Sequence, residues 1–365
     1  MPAFIPGLQL SEMFYREAVK PILDSDFPGL QHSACRLGYG SEVLGFDTEM
    51  SRDHDWGPRV DLFLSEADFE VYRDAVDDAL QRRLPSSIHG YSTHFGEHVE
   101  PTGQITQVVG ESSDGRIRHL VSFTTPARFF RGYLGWEIES PLAPADWLTF
   151  PAQHLLTIAS GRVYHDDLGV QALREKLAWY PHDVWLYLLA AGWTRLGEEE
   201  HLMPRTGYVG DELGSALIGS CLVRDMMRLC FLMERRYAPY AKWFGTGFMR
   251  LNCAAELAPL LWQAQIAETW QQREAALVPC YEALARMHNA LNLTPPLHTE
   301  VRYFFSRPFK VMVGGIFSNA LVEQIADPVV KAIAERTMVG GIDFLTDNTD
   351  GFSPVVREAL RTLYT

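Results

Sequence analysis

The sequence predicts an α+β protein: an N-terminal domain built on a mixed sheet with helices, followed by a larger all-helical domain. Three observations carry this. Up to about residue 140, short β-like runs alternate with helical patterns and Gly-rich turns. Beyond Pro141, apolar residues recur at helical spacing almost to the end of the chain. A length of 365 residues, 47% of them hydrophobic, suits two domains with real cores.

Taken in order, Arg59–Leu64 reads as a strand. Ser65 then caps a helix: Asp68 stands at its third position, and Phe69, Tyr72, Val76 and Leu80 follow at helical spacing until Pro85. Ile117–Thr124 is the next strand, which completes a strand–helix–strand order. The prolines at Pro141 and Pro144 mark the boundary, dividing residues 1–140 from 141–365. In the helical half, the first helix contains Leu173, Leu177 and Trp179 and is broken by Pro181. The others are Val184–Leu196, Leu213–Arg235, Glu256–Trp270, Arg273–Leu291, Val322–Arg336 and Pro354–Leu363. Trp179, Trp185 and Trp193 read as core.

Charge and cysteine content exclude some functions. The net charge is −14, with 46 acidic residues against 32 Lys and Arg and no basic block, so a nucleic-acid partner is not expected. Five scattered cysteines, without a CxxC pair, read as thiols in a reducing compartment. The first residues lack the charged start and apolar core of a signal peptide. No stretch reaches the roughly 18 apolar residues of a membrane span. A cytoplasmic protein is expected.

The most informative segment runs from Gly40 to Gly57, GSEVLGFDTEMSRDHDWG. A Gly-Ser pair at the start of a helix leaves backbone N–H groups free to meet an anion. Further on, Asp53 and Asp55 are separated by one residue. On a strand they would project from one face, about 7 Å apart, and repel unless a cation lay between them. Mg²⁺, held by one or two carboxylates and the phosphates of a substrate, suits such a pair. The plain alternative is a solvated Asp-rich turn.

Gly40-Ser41 followed by Ser51-x-Asp53-x-Asp55 resembles the signature of the DNA polymerase β-like nucleotidyltransferase superfamily. Within it, GSEVLGFDTEMSRDHDWGPRV is similar to the domain of unknown function DUF4037 family. Further matching segments are Arg235-Arg236-Tyr237-Ala238-Pro239-Tyr240-Ala241-Lys242-Trp243, Gly341-Ile342-Asp343 and Asp347-Asn348-Thr349-Asp350. The resemblance implies a nucleotidyltransferase domain in residues 1–140 and a helical domain shaping an acceptor pocket in 141–365. It implies that Gly40 and Ser41 hold the phosphates of a nucleoside triphosphate, and that Asp53 and Asp55 hold Mg²⁺.

Members of the superfamily usually add a third carboxylate from a later strand. Here the strand ending at Thr124 offers only His119 and Ser122. Glu97, Glu100, Glu111 and Asp114 lie in turn-like sequence nearby, and Asp61 is about 20 Å from the pair along a straight strand. His119 becomes the candidate base, since a neutral imidazole accepts a proton near neutrality; the plain alternative is a structural histidine. His89, His94 and His98 match no zinc spacing and read as a flexible polar loop.

Arg235, Arg236, Tyr237, Tyr240, Lys242 and Trp243 combine cations for phosphate with aromatic faces for a base. From this group Tyr237, Tyr240 and Lys242 join the nucleotide-site candidates; a helix end stopped by Pro239 explains the same residues. Asp343, Asp347 and Asp350 lack the glycine and terminal Glu of a calcium loop. The leading function is Mg²⁺-dependent transfer of a nucleoside monophosphate to a hydroxyl of a small molecule. The alternatives are a non-catalytic nucleotide-binding or regulatory protein, and transfer onto a protein side chain.

Overall fold

The computed structural model describes residues 3–99, 101–103, 105–110, 115–347 and 354–365. It is α+β, with helices and a mixed sheet, and divides into two compact units. The first comprises Met1–Pro141 and His154–Ala178, the second Leu142–Gln153 and Trp179–Thr365.

The first unit opens with α1 (Gly7–Phe14), a π-helical turn Tyr15–Val19, and α2 (Lys20–Asp26). β1 (His32–Arg36) and β2 (Arg59–Leu64) follow, then α3 (Glu66–Arg83), short β3 (Ser87–Ile88) and β4 (Tyr91–Ser92), β5 (Phe95–Val99), β6 (Ile105–Val109), β7 (Leu120–Thr124) and α4 (Pro126–Leu134). After α5 (Pro144–Thr149) in the second unit, α6 (Ala152–Ser160) carries the chain back to β8 (Arg162–Asp166) and α7 (Val170–Lys176). The sheet has the order β7-β2-β1-β8, with β2 parallel to β7 and β1 antiparallel to both β2 and β8. β8 thus belongs to the sheet, although the expected boundary at 140/141 assigns it to the helical half. Its single short strand is a weak local signal amid helical sequence, and only pairing with β1 defines it.

Period-two alternation sets the layers of this unit. Val60 and Leu62 of β2 and Val121 of β7 pack with Leu10, Phe14, Val76 and Leu80 from α1 and α3. Cys35 and Phe63 project to the other face, where Val170 and Phe129 cover them. α3 begins where its cap predicts: Ser65 Oγ accepts the Asp68 N–H at 3.1 Å. β3 and β4 turn through His89 and Gly90, both at positive φ, so the three-histidine segment forms paired strands rather than the expected flexible loop. α7 stops at Lys176, short of Trp179.

The second unit continues with α8 (His182–Glu199), α9 (Leu202–Tyr208), α10 (Glu212–Met233), α11 (Ala241–Phe248), α12 (Ala254–Ile266) and α13 (Trp270–Ala290). A short β9 (Arg302–Tyr303) and β10 (Lys310–Val311) precede α14 (Gly314–Val322), α15 (Pro328–Arg336), α16 (Ile342–Leu345) and α17 (Pro354–Arg361). α8 is buried on nearly every face, Trp185 and Trp193 included. A side chain at Gly314 would strike the Trp193 carbonyl, so glycine lets α14 lie against α8, where Phe317 stacks on Trp193 at 4.2 Å. The expected helix Val322–Arg336 is two helices, because Pro328 starts a new one and Asp327 caps it through the Val329 and Val330 N–H groups. All five cysteines are free. Among the described residues no helix is long and apolar enough to cross a membrane.

Candidate functional site

The Gly-Ser pair and the two aspartates all lie in the first unit. Gly40 follows β1 at φ +143, a backbone that favours glycine, and a side chain there would run into the Glu42 carboxylate. The chain then closes as a turn, with Phe46 N–H donating to the Ser41 carbonyl at 2.9 Å. The expected helix start at Gly40-Ser41 is therefore corrected to a turn, which the sequence leaves through Gly45 at φ +66.

The strand expected for Asp53 and Asp55 is corrected as well. Ser51 Oγ accepts the Thr48 N–H at 3.0 Å and caps a 3₁₀ turn over Glu49–Asp53. Asp55 follows at φ +48, and β2 begins only at Arg59, after Gly57 and Pro58. The pair is thus carried on a turn and a bend. Asp53 is exposed; its Oδ1 accepts the His54 N–H at 3.0 Å and lies 3.0 Å from the His54 ring nitrogen Nδ1. Asp55 Oδ1 accepts the Gln107 N–H at 2.8 Å, joining this bend to β6. Each carboxylate keeps Oδ2 without a hydrogen bond among the described residues. Hard oxygen donors of this kind fit Mg²⁺ by chemistry.

Beside the turn lies a buried ionic cluster that composition and spacing do not announce. Arg36 and Glu42 form an ion pair at 2.7 Å with side chains 3% and 2% exposed. Arg36 also reaches Asp61 at 3.2 Å, and Asp61 accepts from the Leu37 N–H at 3.0 Å and the Ser122 hydroxyl at 2.6 Å. Burial works against the Arg36 charge, but Glu42 and Asp61 outweigh it and hold its pKa above the ordinary value. Arg59 adds a second cation: its Nη1 donates to the Asp55 carbonyl, and burial, then repulsion from Arg36, lowers its pKa. Ser122, where a third carboxylate is expected, instead bridges β7 to Asp61.

His119 stands one residue before β7 rather than on it. Its side chain is 3% exposed and lies 3.5 Å from Asp77 of α3, while Nδ1 accepts the Val121 N–H. Burial lowers its pKa, against the pull of Asp77. These are the surroundings of a structural histidine between α3 and the sheet, and none of its contacts is with Asp53 or Asp55. The expected base role is corrected on that ground. Glu97 is exposed and pairs with Arg118, whereas Glu100, Glu111 and Asp114 lie outside the described residues.

The second unit holds a cavity of about 270 Å³ lined by Arg224, Arg228, Tyr240, Phe244, Asp343 and Asp347 among others. A narrower cleft lined by Trp147, Tyr180, Arg236 and Tyr237 shares Arg228 and Asp343 with it. Arg224 and Arg228, one helical turn apart on α10, both pair with Asp347. Asp343 accepts the Ala152 N–H at 2.9 Å; burial pushes its carboxyl up to about 6, with that N–H and Arg228 pulling it back. Tyr237 is buried against Trp179 and Tyr180, at ring distances of 4.9 and 5.0 Å, and burial raises its pKa well above the ordinary value.

Of the candidates in this region, Tyr237 and Tyr240 line the cavity system and Lys242 does not: it is exposed, 5.0 Å over the Trp243 ring. Arg224 and Arg228 are the residues that sequence reasoning missed. Their signal is two arginines four apart on a largely apolar helix, with Asp225 between them. Asn348 and Asp350 lie outside the described residues.

Residues 147–244 match the family described as Domain of unknown function (DUF4037), so the family expectation holds over that segment. The segment supplies α8, α10, and Trp147, Arg224, Arg228, Tyr237 and Tyr240 of the cavity system. No curated protein and no solved structure matches the chain.

Proposed function

Taking the DUF4037 segment as premise, we propose that this protein is a Mg²⁺-dependent nucleotidyltransferase acting on a hydroxyl of a small molecule. A single observation carries the reading: Asp53 and Asp55, two positions apart and following the Gly40-Ser41 turn, each have a carboxylate oxygen that no hydrogen bond among the described residues engages. These two residues would hold Mg²⁺, and the chemistry it supplies when bound is neutralisation of phosphate charge. The Gly40-Ser41 turn would meet the phosphates of the triphosphate. The arginine and tyrosine side chains of the second unit's cavity would bind an acceptor with polar or anionic groups. In the reaction the acceptor oxygen bonds to the α-phosphorus and the bond to the bridging oxygen breaks. Pyrophosphate leaves with the electron pair, and the acceptor proton passes to solvent.

The second reading, nucleotide binding without transfer, is favoured by a specific observation. The carboxylates of Glu42 and Asp61 are engaged by Arg36, and His119 pairs with Asp77. Incubation with Mg²⁺ and each labelled triphosphate, alone and with a metabolite pool, separates the two. Pyrophosphate release supports transfer; tight binding without turnover supports the regulator; no binding of any triphosphate overturns both. Asp53→Asn and Asp55→Asn are each expected to weaken Mg²⁺-dependent triphosphate binding roughly tenfold, or about 1.4 kcal/mol, in calorimetry with and without the ion.

A further inference from the structure

β1 begins at His32 and β8 ends beside Asp167, and their pairing gathers three metal-ligating side chains in the first unit. Ala34 lies opposite His165, and beyond the ladder the His32 N–H donates to Asp167 Oδ2 at 3.2 Å while the Asp167 N–H donates to the His32 carbonyl at 3.2 Å. His165 and Asp167, two positions apart, pair at 2.9 Å. The rings of His32 and His165 are 4.6 Å apart. One potential ligand atom from each of the three residues falls within 4.8 Å of the others.

The His32 tautomer follows from its neighbours. Nδ1 lies 3.1 Å from the Leu30 carbonyl, which can only accept, so Nδ1 carries the proton. Nε2 then presents its lone pair, met by the Tyr15 hydroxyl at 2.8 Å. A ring that donates one N–H to a backbone carbonyl and keeps the other nitrogen as an acceptor is the arrangement that orients metal-binding histidines. Tyr15 is also the first residue of the π-helical turn Tyr15–Val19. Such turns are rare and concentrate at functional sites.

We infer that His32, His165 and Asp167 bind a divalent transition-metal ion of the Zn²⁺ class. Two imidazoles and one carboxylate suit Zn²⁺ better than Mg²⁺ or Ca²⁺, which prefer all-oxygen sites. Three protein ligands leave the fourth tetrahedral position to water or a small ligand. Two ligand atoms on a tetrahedral Zn²⁺ lie about 3.4 Å apart, so the three atoms, now within 4.8 Å of one another, close on the ion by rotation of side chains. His165 and Asp167, at 30% and 36% exposure, have room for it, while His32 is the fixed, buried ligand. The ion would clip the start of β1 to the end of β8 and raise the stability of the folded unit. This site shares no residue with Asp53 and Asp55, so the inference stands or falls independently of the proposed transfer reaction.

The test uses the untagged full chain and ZnCl₂, with CoCl₂ as the spectroscopic probe. The expected result is one Zn²⁺ per chain by equilibrium dialysis, a rise in Tm with Zn²⁺, and visible absorption on adding Co²⁺. His165→Ala and Asp167→Asn should each lower Zn²⁺ affinity by at least roughly tenfold. Both positions are partly exposed, and circular dichroism in the absence of metal checks that each variant folds. Asp53→Asn should leave Zn²⁺ affinity unchanged. Zn²⁺ affinity that persists in both His165→Ala and Asp167→Asn would assign the ion to other residues, such as the free cysteines, and overturn the inference. Absence of stoichiometric binding to the parent chain would overturn it too.

Discussion

At Arg36 and Glu42 the fold holds two charges out of water, each side chain at most 3% exposed. Such a pair tolerates its burial only while both partners are present. Arg36→Met leaves the buried Glu42 carboxylate with the more distant Arg59, 4.0 Å away, as its ion-pair partner, and urea unfolding should show a loss of about 3 kcal/mol. Adding Glu42→Gln removes that buried charge and should recover much of that loss. Gly40 has a structural reason of its own, since its φ of +143 and the nearby Glu42 carboxylate exclude a side chain. The Gly-Ser pattern is therefore in some measure a product of this cluster, which the sequence conceals: Arg36, Glu42 and Asp61 are ordinary charges until β1 and β2 pair.

At the scale of elements, local signals place boundaries well when the stabilising partner is close in sequence. α3 begins at Glu66 because Ser65 accepts the Asp68 N–H, a contact three residues long. Ser65→Ala should cost about 1 kcal/mol in the thermal or urea stability of this unit, as an N-cap loss does. The segment 48–57 shows how the same logic misleads. Two aspartates at alternating positions suggest a strand, yet Ser51 caps a 3₁₀ turn and Asp55 adopts a positive φ. No β ladder bonds Asp53; Asp55 instead pairs with Gln107, which lies far along the chain. β8 is the converse case, a strand hidden in helical sequence until β1 offers it an edge.

At the scale of the whole molecule, burial of ionisable groups gives stability a pH dependence. The Asp343 carboxyl is raised from 3.8 to about 6 by burial, against the Ala152 N–H and Arg228. The folded state thus binds this proton more tightly than the unfolded chain. The resulting stabilisation is fully present below about pH 4 and is lost as pH rises through 6, at roughly 1.4 kcal/mol per pKa unit, or about 3 kcal/mol in all. Asp343→Asn keeps an acceptor for the Ala152 N–H and removes the titration. Unfolding free energies of variant and parent should therefore converge near pH 4, and the variant should gain by about 3 kcal/mol at pH 7.5.

What the sequence by itself determined follows from interactions that run a few residues along the chain. Helical periodicity marked α8, α10 and α13, a cap marked α3, and alternation marked β2 to its last residue. The wording of 40–60, with that of 235–243, pointed to the family that matches residues 147–244, which include only the second of these segments. Tertiary structure alone decided which distant residues meet. It brought Arg36 to Glu42 and Asp61, Arg228 to Asp343 and Asp347, and His32 to His165 and Asp167. Those contacts depend on strand pairing and helix packing between segments far apart in the chain. A charged residue carries no local mark of the partner that burial will give it, so the periodic frame is legible in sequence while its ionic sites emerge only on folding.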